Sequence, residues 1–219
     1  MAFDGITIAA MVSELNKNLS GGRINKIAQP ESDELLITGK GANGQKRLLL
    51  SASASLPLIY FTGKNRISPL TAPNFCMLLR KHIGSARITA IRQPGLERVV
   101  EFELEHLNEL GDVCHKVLIM ELMGKHSNII FCDDNNMILD SIKHVSCNVS
   151  SVREVLPGRP YFIPHTQDKL DPLTISREDF MEKVCGRSNA VSKALYQTLT
   201  GFSPVMAQEL CYRASIDGN

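Results

Sequence analysis

The chain has 219 residues, 43% of them apolar and 21% charged, with few aromatics and no Trp, which fits a globular core of Leu, Ile, Val and Met. No stretch approaches the ~20 consecutive apolar residues of a membrane span, and Met1-Ala2-Phe3-Asp4 does not open a basic-then-apolar secretory signal. The formal net charge of +1 conceals a bipolar chain: Leu35–Leu96 holds nine Lys and Arg and no acid, whereas Glu97–Asp140 holds ten acids against three bases. Either a basic face is offered to phosphates, or strands from the two regions pair and neutralise one another.

In chain order, Ile8, Met11, Val12, Leu15 and Leu19 recur at helical spacing behind a cap at Asp4 or Thr7, and Gly21-Gly22 ends that helix. Strand character follows at 23–29, 34–38, 47–52 and 58–62, with Gly41-Ala42-Asn43-Gly44 turning a hairpin. A second helix is predicted over 73–83, with Pro73 at its start and Gly84 after its end. Strands resume at 86–93, 98–105, 113–122, 127–132 and 137–142, broken by Pro94-Gly95 and by Asp133-Asp134-Asn135-Asn136. In the strand after Pro94-Gly95, Val100, Phe102 and Leu104 alternate with Glu101, Glu103 and Glu105, one buried face against one wet face. The fold class is therefore α+β, with antiparallel sheets and flanking helices.

Composition shifts at 156–172, where Pro157, Pro160, Pro164 and Pro172 mark an ordered linker. Helical patterns then cover 177–185, 190–199 and 204–214, the last two flanking Thr200-Gly201-Phe202-Ser203. The expected division is residues 1–172 and a small helical domain, 173–219. That domain closes unsatisfyingly at Asp217-Gly218-Asn219, as expected of a piece of a longer protein.

Catalytic signatures are missing from the sequence: no G-x-S-x-G, no P-loop and no H-E-x-x-H. His82, His106, His115, His126, His144 and His165 are scattered without metal-ligand spacing. Cys76, Cys114, Cys132, Cys147, Cys185 and Cys211 form no C-x-x-C pair and favour a reduced, cytoplasmic protein over a disulfide framework or zinc site. No enzyme, metal or cofactor is expected.

Three segments carry binding chemistry. The glycine turn of Val191–Leu210 could open a helix whose N–H groups receive a phosphate, although a plain helical hairpin has the same pattern. Phe75–Gly84 (F-C-M-L-L-R-K-H-I-G) puts Arg80 and Lys81 at a helix C-terminus, where the dipole alone would favour them. Glu121–Ile130 (E-L-M-G-K-H-S-N-I-I) turns at Gly124 between strands and offers Lys125, His126 and Asn128.

These two runs, together with Asp4-Gly5, Gly21-Gly22-Arg23-Ile24, Leu48–Ala52, Gln93–Arg98, Pro157-Gly158 and the tail Ser188–Ala214, resemble a known family over essentially the whole chain. The sequence is similar to the N-terminal NFACT domain of RqcH-type proteins, also called fibronectin-binding protein A-like and related to eukaryotic NEMF. The resemblance implies a fold like the N-terminal domain of formamidopyrimidine-DNA glycosylases, followed by a helix–hairpin–helix. It implies binding of a stalled large ribosomal subunit carrying peptidyl-tRNA and recruitment of alanyl-tRNA for untemplated alanine tailing of the nascent chain. A fibronectin-binding surface adhesin is the alternative.

The family's functional Asp-Arg pair maps onto Glu97-Arg98, so this chain has Glu where the family usually has Asp. Arg98 could contact phosphate or a base edge with the carboxylate orienting it, or the two could make a cross-strand ion pair. The implied tRNA surface is Glu97, Arg98, Arg80, Lys81, Lys125, His126 and Asn128. Glycosylases attack with an N-terminal proline amine followed by glutamate; Ala2 and Phe3 stand at those positions, so base excision and DNA substrates are not expected.

Overall fold

The computed structural model describes residues 3–164 and 168–218; Ala2 and His165, named above, lie outside the described residues. The first helix, α1 (Gly5–Leu19), begins where the Asp4 carboxylate accepts from Thr7 N at 2.8 Å and buries Ile8, Leu15 and Leu19. It ends before Gly21, which takes φ +77°. Four strands follow, β1 (Arg23–Ala28), β2 (Glu34–Gly41), β3 (Gly44–Ser51) and β4 (Leu58–Phe61); the second helix, α2 (Asn74–Ile83), leads to five more. These are β5 (Arg87–Arg92), β6 (Val99–Leu107), β7 (Val113–Glu121), β8 (Asn128–Asp133) and β9 (Ile138–Ser141).

All nine strands join one antiparallel sheet in the order β4-β3-β2-β1-β5-β6-β7-β8-β9, rather than separate sheets. Two meanders, β1–β4 and β5–β9, meet through a single paired position, Arg23 opposite Arg87. Their inner faces share one core with both helices: Ile37, Leu48 and Ile59 from the first and Phe102, Leu118 and Phe131 from the second. Lys143, just beyond β9, donates its ammonium to Ala52 O after β3 and to Ser127 O, tying the halves together.

The two halves repeat one another. Arg23-Ile24-Asn25-Lys26-Ile27-Ala28-Gln29-Pro30 returns as Arg87-Ile88-Thr89-Ala90-Ile91-Arg92-Gln93-Pro94, each behind a helix. Both copies carry the same bulge, at Asn25 and at Thr89. Bonds across the join repeat as well: Ile24 N donates to Ala86 O and Ile88 N to Gly22 O. Each helix packs on the strand of the other half. Asn16 of α1 donates to Ile91 O at 2.6 Å, and Arg80 of α2 donates to Ile27 O at 2.8 Å. The Gln side chains close matching turns, Gln93 donating to Glu97 O and Gln29 to Ser32 O. Equivalent positions in a fold specified twice need only be apolar, small or turn-forming in the same places, which is what has been kept.

The outer faces differ. That of the second half is covered by the 142–163 segment, whose Val155 packs with Val99, Ile119, Ile130 and Cys132. Beneath this strap the Glu121 carboxylate is fully buried and receives Arg153 Nη2 at 2.6 Å and Tyr161 Oη at 3.1 Å.

After the proline-rich stretch come α3 (Arg177–Phe180), which runs into a π turn at Met181–Cys185, then α4 (Val191–Thr198) and α5 (Pro204–Arg213). Their apolar residues form a separate small cluster of Val184, Ala194, Leu195, Leu199, Ala207 and Cys211, against which Leu170 packs. All six cysteines are free.

Candidate nucleic-acid interface

A cleft of about 550 Å3 forms where three backbone segments converge: the start of α1, the Pro94–Arg98 turn and the α4–α5 turn. Glycine makes the convergence possible. A Cβ on Gly5 would sit 2.0 Å from Leu96 O, and one on Gly201 would sit 2.5 Å from Leu96 Cβ. Gly201 also needs φ +83°, and Gly5 N donates to its carbonyl at 2.9 Å.

Asp4 bridges the same junction. Its carboxylate caps α1 through Thr7 N and accepts from Ser203 Oγ, at 2.6 Å, at the cap of α5. Partial burial alone would raise its pKa, but the hydrogen bonds from Ser203 and Thr7 prevail and hold it below the usual carboxylate value. The N-terminus of α5, a phosphate-binding candidate by sequence, thus already faces a carboxylate and begins with Pro204, which has no N–H to offer. The α4–α5 turn spends its glycine on docking to Gly5.

Arg98 stands exposed at the cleft and Glu97 half-exposed beside it. Among the described residues Arg98 is in no ion pair, so the cross-strand pair considered above does not form. Lys169 also lines the cleft and donates to Tyr196 O at 2.8 Å. Burial, then the nearby Arg98 charge, lowers the Lys169 pKa, opposed by Glu97. The cleft thus gathers two cations and one carboxylate, Arg98, Lys169 and Glu97, along one wall; such a set has the chemistry to meet a polyanion or a base edge.

The other predicted contacts separate into three sets. Lys125 and His126, both exposed, sit in the 3-10 turn Gly124–His126 at the Arg98 end of the sheet, since Leu122 N donates to Arg98 O at 2.9 Å. Arg80 and Lys81 do not join them. They lie at the C-terminus of α2, where His82 meets His106 with ring centroids 6.4 Å apart. His106 is near the far end of β6, eight residues or roughly 26 Å along the strand from Arg98. Asn128 is 2% exposed and uses both polar atoms internally, donating to Lys143 O and accepting from Ile129 N and Lys143 N. It braces the β8–β9 corner and is corrected here from a binding residue to a structural one.

Lys169, Tyr196 and the Asp4–Ser203 link were not foreseen as site residues. Lys169 lies in a stretch without periodicity, and only its proximity in space to Arg98 marks it. The thiols with shifted acidity are pushed up, Cys76 by burial and Cys132 to about 12 by burial with Asp133 and Glu121 nearby. That is opposite to the depressed pKa of a reactive thiolate. No helix among the described residues is long and apolar enough to cross a membrane.

The α+β fold of this chain is shared with known proteins. Residues 4–219 match the model for the NFACT N-terminal and middle domains, and the chain belongs to that family. It is 40% identical over 219 residues to the "Rqc2 homolog RqcH" of Bacillus subtilis (strain 168), covering 99% of this chain and 38% of that protein. It is 24% identical to the human "Ribosome quality control complex subunit NEMF", over 99% of this chain and 19% of that protein. A solved structure, the N-terminal part of the fibronectin/fibrinogen-binding protein from Streptococcus suis, superposes with TM-score 0.90 at 37% identity, covering 99% of this chain and 81% of that one. The chain thus spans about two fifths of the length of its bacterial curated relative.

Proposed function

We infer that this chain is the tRNA- and large-subunit-binding module of a cytoplasmic ribosome quality-control factor. In the full-length protein it recruits alanyl-tRNA to stalled 50S–peptidyl-tRNA complexes for untemplated alanine tailing. The observation that carries this reading is the exposed Arg98, in no ion pair among the described residues, beside Glu97 and sharing the convergence cleft with Lys169, in a chain whose relatives are named ribosome quality-control factors. Lys125 and His126 extend the same edge and reach for tRNA backbone. Residues 1–172 then act as a glycosylase-like binding domain, without its nucleophile, and 173–219 as a helix–hairpin–helix buttress that sets one wall of the cleft. The module holds and selects tRNA, uses no cofactor or metal, and leaves peptide transfer to the ribosome.

Charge reversal, Arg98→Glu, in the full-length protein is expected to abolish alanine tailing and the recovery of tRNA with the purified protein, while recovery of the folded protein is unchanged. Tailing at the normal level by that variant would remove Arg98 from the interface. Fibronectin binding, the activity in the name of the Streptococcus suis relative, is the second reading. It requires a specific affinity for immobilised fibronectin that Arg98→Glu leaves unaltered and that soluble tRNA does not displace.

A further inference from the structure

The internal repeat exposes a second cationic surface, remote in the fold from the Arg98 cleft. In the first half, Lys26, Thr38 and Arg47 stand directly opposite one another across β1, β2 and β3, forming one rung on the outer face of the sheet. The corresponding rung of the second half is Ala90, Glu103 and Val117. There the neighbouring outer surface is apolar and closed by the 142–163 strap. In the first half the rung instead lines an open groove of about 280 Å3, which Gln45, Asn65 and Arg66 border on the same side. One backbone has been built twice: the outer face of the first half buries Ala28, Leu36, Leu49 and Thr38, yet leaves Lys26 exposed and Arg47 half-buried at its groove.

The groove of the first half has the chemistry of a phosphate track. The region Leu35–Leu96, which supplies β3 and the segment bearing Asn65 and Arg66, contains no acidic residue. Among the described residues neither Lys26 nor Arg47 is in an ion pair, and Arg66 meets only Glu34, at a loose 3.6 Å. Arg47 donates Nη1 to Gly63 O at 3.1 Å, which holds the 63–68 segment along the groove and leaves the rest of the guanidinium's donors available. Amide side chains of Gln45 and Asn65 add neutral donors suited to phosphate and ribose oxygens.

We propose that the outer face of β1–β3, through Lys26, Arg47 and Arg66, is a second binding surface for an RNA phosphodiester backbone, separate from the Arg98 cleft. The location stands on the fold; that the polyanion is RNA rests on the tRNA-binding reading above. With two such surfaces the module engages two RNA segments, or two stretches of one RNA, at once. Cooperative attachment then follows from geometry, because the second contact is made at a high effective concentration.

The test uses the full-length protein, the double variant Lys26→Glu/Arg66→Glu at exposed positions, Arg47→Gln as a milder second variant, and Arg98→Glu. Each is titrated with bulk deacylated tRNA and, separately, with isolated large ribosomal subunits over a range of salt concentrations. Loss of about tenfold or more in affinity by the double variant, with a shallower salt dependence and a smaller loss for Arg47→Gln, is the expected result. A loss confined to subunits identifies ribosomal RNA as the source, and a loss with tRNA identifies tRNA; either supports the proposal. Unchanged affinity of both variants for both RNAs, while Arg98→Glu is impaired, overturns this surface and leaves the cleft intact. Failure of the unmutated protein to bind either RNA overturns both.

Discussion

Glu121 shows how far a residue's role can lie from its sequence neighbourhood. It opens the run E-L-M-G-K-H-S-N-I-I, which reads as a binding loop, yet its carboxylate is fully buried and holds Arg153 and Tyr161 from a strap some thirty residues on. Burial alone would lower the Arg153 pKa, but the hydrogen bonds and charge of Glu121 reverse that and fix the guanidinium charged. Burial, and then the same carboxylate, push the Tyr161 hydroxyl upward. Removing one partner from a buried pair strands the other, which costs about 3–5 kcal/mol. Glu121→Ala is therefore expected to lower the midpoint of thermal unfolding by roughly 6–20 °C. The double replacement Glu121→Leu/Arg153→Met should recover most of that, because apolar residues of similar volume fill such sites without stranding a charge. A Glu121→Ala midpoint equal to that of the unmutated protein would refute this role. Nothing in the stretch 143–163 signals the pairing in sequence, since it lacks periodicity. Asn128 reads in sequence as a loop donor, whereas it opens β8 buried, with its amide engaged by Ile129 and Lys143.

At the scale of elements the sequence was informative about what forms and poor about what meets. Apolar alternation, Asp4, the glycines and the prolines located α1, α2 and all nine strands to within a few residues. They did not indicate that β1 pairs with β5, or that Asn16 and Arg80 reach strands of the opposite half. The repeated R-I-x-x-I-x-Q-P was the available signal for that exchange. Arg80 and Lys81 illustrate the consequence: their charge was legible, but only topology puts them at the far end of β6 from Arg98.

The cleft itself depends on Gly5 and Gly201, whose role as a contact pair also needed the structure. Gly201→Ala, which combines a left-handed backbone with a steric overlap on Leu96, should cost about 2–4 kcal/mol and accelerate proteolysis between α3 and α5. Unaltered stability and protease resistance would mean the junction is not seated as described. Asp4 gives a pH signature for the same junction. A carboxyl held below its ordinary value contributes fully above about pH 4, and the contribution fades as pH falls through the folded-state value. Asp4→Asn should therefore be less stable than the unmutated protein at pH 7, with the difference shrinking as pH falls below about 4. A difference that stays constant across that range would separate Asp4 from the stability of the junction.

Over the whole molecule, the bipolar charge resolves into geometry. Pairing between the basic and acidic regions is limited to β5 with β6, where Arg92 meets Glu103 at 3.0 Å and Arg87 stands opposite Glu105. The strands joining the halves instead put Arg23 opposite Arg87, cation against cation. Neutralisation is thus local, and the first half keeps a basic outer face while the second keeps Glu101 and Glu103 on its own. Burial and the neighbouring Glu103 raise the Glu101 pKa, opposed by Arg92, as expected for a crowded acidic face. Such a separation favours one approach direction for a polyanion and disfavours the opposite one. It also makes affinity for RNA a steep function of salt, because each neutralised phosphate releases counterions.

The most direct test of the account is the salt dependence of tRNA binding by the full-length protein and its Arg98→Glu variant, measured side by side. The account predicts a steep fall in affinity with salt for the unmutated protein, and for the variant a large loss of affinity with a slope shallower by about one unit per phosphate contact removed. Equal affinities and parallel slopes for the two proteins would contradict it.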